Sequence, residues 1–265
     1  MKPPERRERR GLPLRALAPN AVTALALCAG LTGVRFAIAG EWERALMFVI
    51  IAAVLDGMDG RIARMLRGQS RFGAELDSLS DVIAFGVSPA VIIYLWTLQT
   101  IPPYGWIFAL AHAVAAALRL ARFNANIDVV DQPHKSAGFF TGVPAPAGAG
   151  LALLPIFLWL ATGEEWFRTP WLVAPWAGLV AFLLISNIAT FSWTSVRLRS
   201  SMRFAALAVL ALIATALVSA PWQTLSVLAI LYVAAIPFSM FSYARSRRRR
   251  AAAAAAAGGH APASH

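Results

Sequence analysis

A polytopic, all-α bundle of about eight transmembrane helices, with both termini cytoplasmic, is the fold class predicted by three observations. Of 265 residues, 58% are hydrophobic and only 14% charged, and mean hydropathy is +0.62, a balance foreign to ordinary soluble domains. Apolar runs of about 20 residues, the length that crosses a bilayer, recur along the chain. The basic residues gather in alternate connections, as the positive-inside rule requires. The formal net charge of +11 therefore reads as topology, and nucleic acid is not expected as a partner. Cys28 is the single cysteine, which excludes an intrachain disulfide and a thiolate metal site.

Taken in order, residues 1–17 form a basic, proline-containing cytoplasmic arm, suited to anionic lipid headgroups. Its arginines precede an apolar run as in a signal peptide, but apolar spans continue throughout, so the first is expected to be retained. The membrane domain covers 18–244, with spans at roughly 19–39, 43–66, 73–97, 104–124, 141–162, 169–191, 203–220 and 223–243. An even number puts both ends on one side, and the charges agree. The inner segments hold the N-terminal arginines, then Arg61, Arg64, Arg67 and Arg71, then Arg119, Arg122 and Lys135, then Arg197, Arg199 and Arg203, then Arg245 and Arg247–Arg250. The outer loops hold only Arg44 and Arg168. Arg35, near the outer end of the first span, is expected to snorkel. Trp42, Trp96, Trp106, Trp166 and Trp171 fall near span ends and predict an interfacial belt. Residues 245–265 form a basic, alanine-rich tail of low complexity, expected to be disordered.

Four aspartates interrupt this apolar pattern. Asp56 and Asp59 are three apart, and Asp77 and Asp81 four apart, so each pair shares one helix face. Met65–Phe72 between them reads as a turn, and a hairpin about position 68 sets Asp59 opposite Asp77 and Asp56 opposite Asp81. Each ionised aspartate in a membrane helix costs about 2.5–3.5 kcal/mol on insertion scales, so the cluster needs compensation. One source is a salt-bridge network with Arg61, Arg64, Arg67 and Arg71. The other is a pair of divalent cations: ligands that are all oxygen, with no His or Cys nearby, suit Mg²⁺ or Mn²⁺. Such ions favour phosphate substrates. Gly60 and Ala63 allow close approach to the helix, Arg64 can fork onto a diphosphate, and one aspartate can take a proton from an attacking hydroxyl. These parts describe phosphoryl transfer.

The pattern Asp56-x2-Asp59-Gly60-x2-Ala63-Arg64-x8-Gly73-x3-Asp77-x3-Asp81 resembles the motif of the CDP-alcohol phosphatidyltransferase family at every fixed position and spacing. The resemblance implies a homodimeric integral membrane enzyme that moves a phosphatidyl group from a CDP-linked lipid to an alcohol, releasing CMP at a cytoplasmic site. It implies Asp56, Asp59 and Asp77 as the main metal ligands, with Asp81 completing a two-metal site and serving as base. Asp56, Gly60, Ala63, Arg64 and Gly73 would bind the nucleotide diphosphate. Ser80, beside the motif, would touch nucleotide, or else bond its own helix backbone.

The motif does not select the acceptor. Three runs, FGAELDSLSDVIAFGVSPA, RLARFN and FTGVPAPAGAG, together with PNAVT at 19–23, are similar to membrane phosphatidylserine synthases of bacteria and archaea. This implies CDP-diacylglycerol and L-serine as substrates in a prokaryotic cytoplasmic membrane. Arg119 and Arg122, three apart, can pair with the serine carboxylate, or can anchor a helix end at headgroup level. Asn124 and Lys135 would add polar contacts from a loop, 124–144, long enough to cover a site, and His134 could join Lys135 on phosphate. His112, alone among apolar residues, reads as packing. Glycerol 3-phosphate or inositol phosphate is the alternative acceptor. An ion-coupled transporter is the alternative from another class, but such a path would spread its acids over several spans.

Overall fold

The computed structural model describes residues 14–66, 68–125, 139–186, 189–191 and 203–238. Lys135 and His134, Arg67, residues 1–13 of the basic arm and the alanine-rich tail lie outside the described residues; the last four residues expected in the arm, 14–17, instead begin a helix. The chain divides into two compact units between Trp96 and Thr97.

In the first unit, α1 (Leu14–Ile38) and α2 (Trp42–Met65) form an antiparallel pair. The reversal is a Schellman motif: Gly40 has φ +75°, its N–H reaches Ala37 and the N–H of Glu41 reaches Phe36, satisfying carbonyls that the helix end would orphan. Phe36 stacks on Phe48 with centroids 5.2 Å apart, Arg44 pairs with Glu41, and the Arg35 guanidinium lies over Phe36 at 5.3 Å. The α1–α2 interface is built from small residues, Ala26, Ala29, Ala37, Ala45 and Ala52 being buried. A Cβ added at Gly33 would sit 2.9 Å from the Ala45 carbonyl oxygen, so the backbones meet at a distance only glycine permits.

The chain returns through α3 (Arg71–Asp81), a π-helical segment (Val82–Val87) and α4 (Ser88–Trp96), together a 26-residue apolar helix. Pro89 gives the π turn a cause. Proline lacks the N–H for the carbonyl four residues back, Phe85, and clashes with it, and a wider turn there relieves the conflict. Helix α1 packs against α2, α3, the π segment and α4 alike, and a Cβ on its Gly30 would lie 2.9 Å from Ala84 Cα. Trp96 is 1% exposed, which removes it from the expected interfacial belt; Trp106, Trp166 and Trp171 are exposed.

The second unit contains α5 (Tyr104–Ala125), β1 (Phe139–Thr141), α6 (Ala145–Ala152), α7 (Leu154–Thr162), α8 (Pro170–Ile185), β2 (Ala189–Phe191), α9 (Arg203–Ser219) and α10 (Pro221–Phe238). β1 and β2 pair antiparallel, Phe140 opposite Thr190, a three-residue ribbon that qualifies the all-α expectation. Helix α5 packs on α8, and His112 is buried on α5. Between α6 and α7 the axis bends by 45°. Pro155 cannot donate to the Leu151 carbonyl, and that oxygen instead accepts from Trp176 Nε1 at 2.7 Å, so a buried acceptor finds its partner on α8.

Helix occurs at each of the eight expected spans. Among the described residues, however, four helices are long and apolar enough to cross a membrane, Leu17–Ile38, Arg71–Trp96, Tyr104–Ala125 and Pro221–Phe238, and a fifth if α6 and α7 count as one bent span. Helix α8, with 16 residues, reaches about 24 Å at 1.5 Å per residue, and α2 is long enough but carries the aspartates and arginines. The chain is an integral membrane protein of mainly helical structure.

Candidate active site

The turn that reverses α2 into α3 is locally determined. The N–H groups of Leu66 and Gly68 return to the carbonyls of Ile62 and Ala63, and Ser70, in extended conformation, caps α3 by accepting from the Gly73 N–H at 3.0 Å, the usual work of an N-cap serine. The chain therefore doubles back where expected. Asp56 and Asp59 ride the last turns of α2, Asp77 and Asp81 the second half of α3.

One carboxylate oxygen from each of Asp56, Asp59 and Asp77 lies within 4.8 Å of the other two. A cation with oxygen ligands at about 2.0–2.6 Å fits that span. Asp81 adjoins the group, its carboxyl within hydrogen-bonding reach of Asp56, while its Oδ1 is buried with no hydrogen-bond partner. Among the described residues none of the four aspartates is ion-paired to an arginine, which counts against the salt-bridge reading. An all-oxygen donor set, three converging carboxylates and an orphaned buried oxygen fit hard divalent cations.

Beside the carboxylates opens a cavity of about 320 Å³. Gly60, Ala63, Arg64 and Gly73 line it, together with Asp59 and Asp77. The Arg64 guanidinium curls over Gly60, with Nη1 3.7 Å from where a Cβ would be. Asp56, Ser80 and Asp81 are not among the lining residues. Ser80 is 3% exposed and its hydroxyl donates to the Thr23 carbonyl at 3.2 Å, so its observed role is to bind α3 to α1.

The third wall comes from α1: Pro19, Asn20 and Thr23 face the cavity, with Gly68, Gln69, Ser70 and Ala74 from the turn and α3. Thr23, 4% exposed, donates to Asp59 Oδ2 at 2.6 Å. Asn20 Oδ1 would be 2.7 Å from a Cβ at Gly73, so Gly73 is required where α3 meets α1. These residues had no assigned role in the sequence reading. A signal existed: Asn20 and Thr23 are polar and three apart, on one face of an otherwise apolar span.

Of the expected acceptor residues, Arg119, Arg122 and Asn124 are half-buried at the end of α5 in the second unit. The Arg122 Nη2 donates to the Ile185 carbonyl at 2.8 Å, joining α5 to the end of α8.

The model of the CDP-alcohol phosphatidyltransferase family matches residues 16–186, and that of CDP-alcohol phosphatidyltransferase 2 matches 201–237. Among curated proteins, the CDP-diacylglycerol–serine O-phosphatidyltransferase of Mycobacterium tuberculosis is 42% identical over 236 residues, 89% of this chain and 82% of that protein. The protein of the same name from Mycobacterium leprae is 41% identical over 234 residues, 88% of this chain and 77% of that one. The one from Helicobacter pylori strain 26695 is 35% identical over 172 residues, 65% of this chain and 70% of that protein. With its aspartate motif assembled beside a cavity, and with a family model matched across residues 16–186, the chain belongs to the CDP-alcohol phosphatidyltransferase family.

Proposed function

We propose that the chain transfers the phosphatidyl group of CDP-diacylglycerol to the hydroxyl of L-serine, giving phosphatidylserine and CMP. The observation that carries the reaction class is the convergence of Asp56, Asp59 and Asp77 beside a cavity lined by Arg64 and small residues. The serine oxygen forms a bond to the lipid-side phosphorus, the bond from that phosphorus to the bridging oxygen breaks, and CMP departs with that oxygen. Arg64 steadies the diphosphate through paired N–H donors. Gly60, Ala63 and Gly73 keep the cavity wall low enough for the phosphates to reach the helix. Asp81, adjoining the metal-ligating Asp56 and with an uncommitted Oδ1, accepts the serine hydroxyl proton. Asp56, Asp59, Asp77 and Asp81 would hold a pair of Mg²⁺ or Mn²⁺ ions. When bound, such a pair neutralises the diphosphate and stabilises the leaving phosphate.

For the acceptor, the support is the name carried by the relatives. Arg119 and Arg122 are assigned to the serine carboxylate, with Asn124 and Lys135 as further contacts of the acceptor site. Neutralising Arg119 probes the assignment: Arg119→Gln should raise KM for serine about tenfold or more, with smaller change in KM for CDP-diacylglycerol. The deciding experiment is CMP release by purified protein with Mn²⁺ or Mg²⁺. Release on adding serine supports the assignment; release on adding glycerol 3-phosphate or inositol phosphate, and not serine, overturns it.

The topology carried with this reading has eight spans within 18–244, arm 1–17 and tail 245–265 cytoplasmic, and the site on the cytoplasmic side of a prokaryotic inner membrane. Alternation of basic and nearly charge-free connections supports it. A homodimer is part of the same reading, and cross-linking in native membranes is its test.

A further inference from the structure

We propose that Thr23 is a positioning residue for the reaction, its hydroxyl fixing which oxygen of Asp59 is presented to the divalent cation. This rests on the reading of the aspartate cluster as the cation site.

A threonine hydroxyl carries one proton, and Thr23 Oγ1 has two acceptors in reach, the Pro19 carbonyl at 3.1 Å and Asp59 Oδ2 at 2.6 Å. The shorter contact falls in the range of charge-assisted O–H···O⁻ bonds, which are about twice as strong as neutral ones. The proton belongs to Asp59. The Pro19 carbonyl, one turn back on the same helix, then serves as a steric stop that locates Oγ1, because χ1 of a β-branched residue in a helix has few alternatives. Thr23 is also fixed from its other side, where Ser80 donates to its carbonyl at 3.2 Å.

The chain thus runs from Ser80 on α3, through Thr23 on α1, to Asp59 on α2. All three residues are buried, at 3%, 4% and 5% exposure. Asp59 is the one buried member of the converging triad, Asp56 and Asp77 being partly exposed. Its orientation is accordingly set by protein and not by water. With Oδ2 engaged by Thr23, Oδ1 would be the oxygen presented to the cation. Hydrogen-bond partners of ligating carboxylates have this function generally, and their loss costs about 10- to 100-fold in metal affinity or activity.

The test compares Thr23→Val, which keeps the shape and deletes the donor, with Thr23→Ser, which keeps the donor. Full-length protein in detergent, without lipid substrate, is titrated with Mn²⁺ and the free ion is read by electron paramagnetic resonance. Thr23→Val should raise the Mn²⁺ Kd about 10- to 100-fold, with Thr23→Ser within about threefold of wild type. In turnover, Thr23→Val should lower kcat at subsaturating Mn²⁺, with partial recovery at high Mn²⁺ and KM for serine unchanged. Wild-type Mn²⁺ affinity in a folded Thr23→Val protein, or equal losses in the Ser and Val variants, overturns the proposal. If Thr23→Val does not fold, Thr23→Cys carries the test: its weak donor should give an intermediate Kd, and a wild-type Kd overturns the proposal. Asp59→Asn separates the two layers. If that variant keeps wild-type Mn²⁺ binding, the cluster is not the cation site and the underlying reading fails; if it loses binding while Thr23→Val does not, only the role of Thr23 fails.

Discussion

Asp81 and Gly73 show how differently single residues in this site are constrained. Asp81 is constrained by chemistry: its Oδ1 is buried without a partner, a state that costs about 1–3 kcal/mol and that the proposed cation or transferred proton would relieve. Asp81→Asn should therefore reduce kcat by at least about 100-fold while CDP-lipid binding persists, measured by single-turnover CMP release and equilibrium binding. Full activity would remove Asp81 from the role of base. Gly73 is constrained by space, since a Cβ there would come within 2.7 Å of Asn20 Oδ1 and 3.1 Å of the capping Ser70 oxygen. Gly73→Ala should shift α3 at its cap and cost about 1–3 kcal/mol as an overpacked site, read as a lowered thermal midpoint together with weaker CDP-lipid binding. The aspartates were legible in the sequence because a charge within apolar sequence is conspicuous on its own. Thr23 and Asn20 were not, because a neutral polar residue in a span has many uses, and only packing of α1 on α2 and α3 reveals that Thr23 meets Asp59.

At the level of elements, the α2–turn–α3 reversal was readable from composition, since Gly68 and Ser70 are turn formers and Ser70 is a natural N-cap. Its surroundings were not. The expected hairpin is an open cleft whose third wall is α1, and the π segment after Asp81 depends on a conflict between Pro89 and the carbonyl of Phe85 that hydropathy does not register. The bend at Leu153 shows the same physics in the second unit. Because Trp176 Nε1 serves the carbonyl that Pro155 leaves unpaired, Trp176→Phe should cost about 1–3 kcal/mol for an orphaned buried acceptor, measured by thermal unfolding in detergent. Pro155→Ala supplies an N–H four residues from Leu151. In the double variant, the loss from Trp176→Phe should therefore be smaller than in the wild-type background, a coupling of about 0.5 kcal/mol or more; additive losses would remove the hydrogen bond from the account.

For the whole molecule, hydropathy and charge speak to different questions. Hydropathy finds four or five crossings among the described helices partly because α2 is polar toward its end: Asp56, Asp59, Arg61 and Arg64 occupy its last turns. On the proposed reading α2 contributes a phosphate site, and the charges that such a site needs make a helix fail an apolarity test there. Charge placement is independent of that failure, and under the proposed topology the 66–70 turn, flanked by Arg61, Arg64 and Arg71, would be cytoplasmic, with Gly40 and Glu164 in outer connections. Cys28 is the sole cysteine, so a Cys28→Ala background permits single-cysteine labelling. With a membrane-impermeant maleimide, intact cells should label Gly40→Cys and Glu164→Cys but not Gln69→Cys, and inside-out vesicles should label only Gln69→Cys. Gln69 lines the cavity, so CDP-lipid should also slow its labelling in those vesicles, tying the side of the membrane to the site itself. Labelling of Gln69→Cys in sealed, intact cells would invert the topology. Such an inversion is an arrangement that the positive-inside force on Arg61, Arg64 and Arg71 opposes.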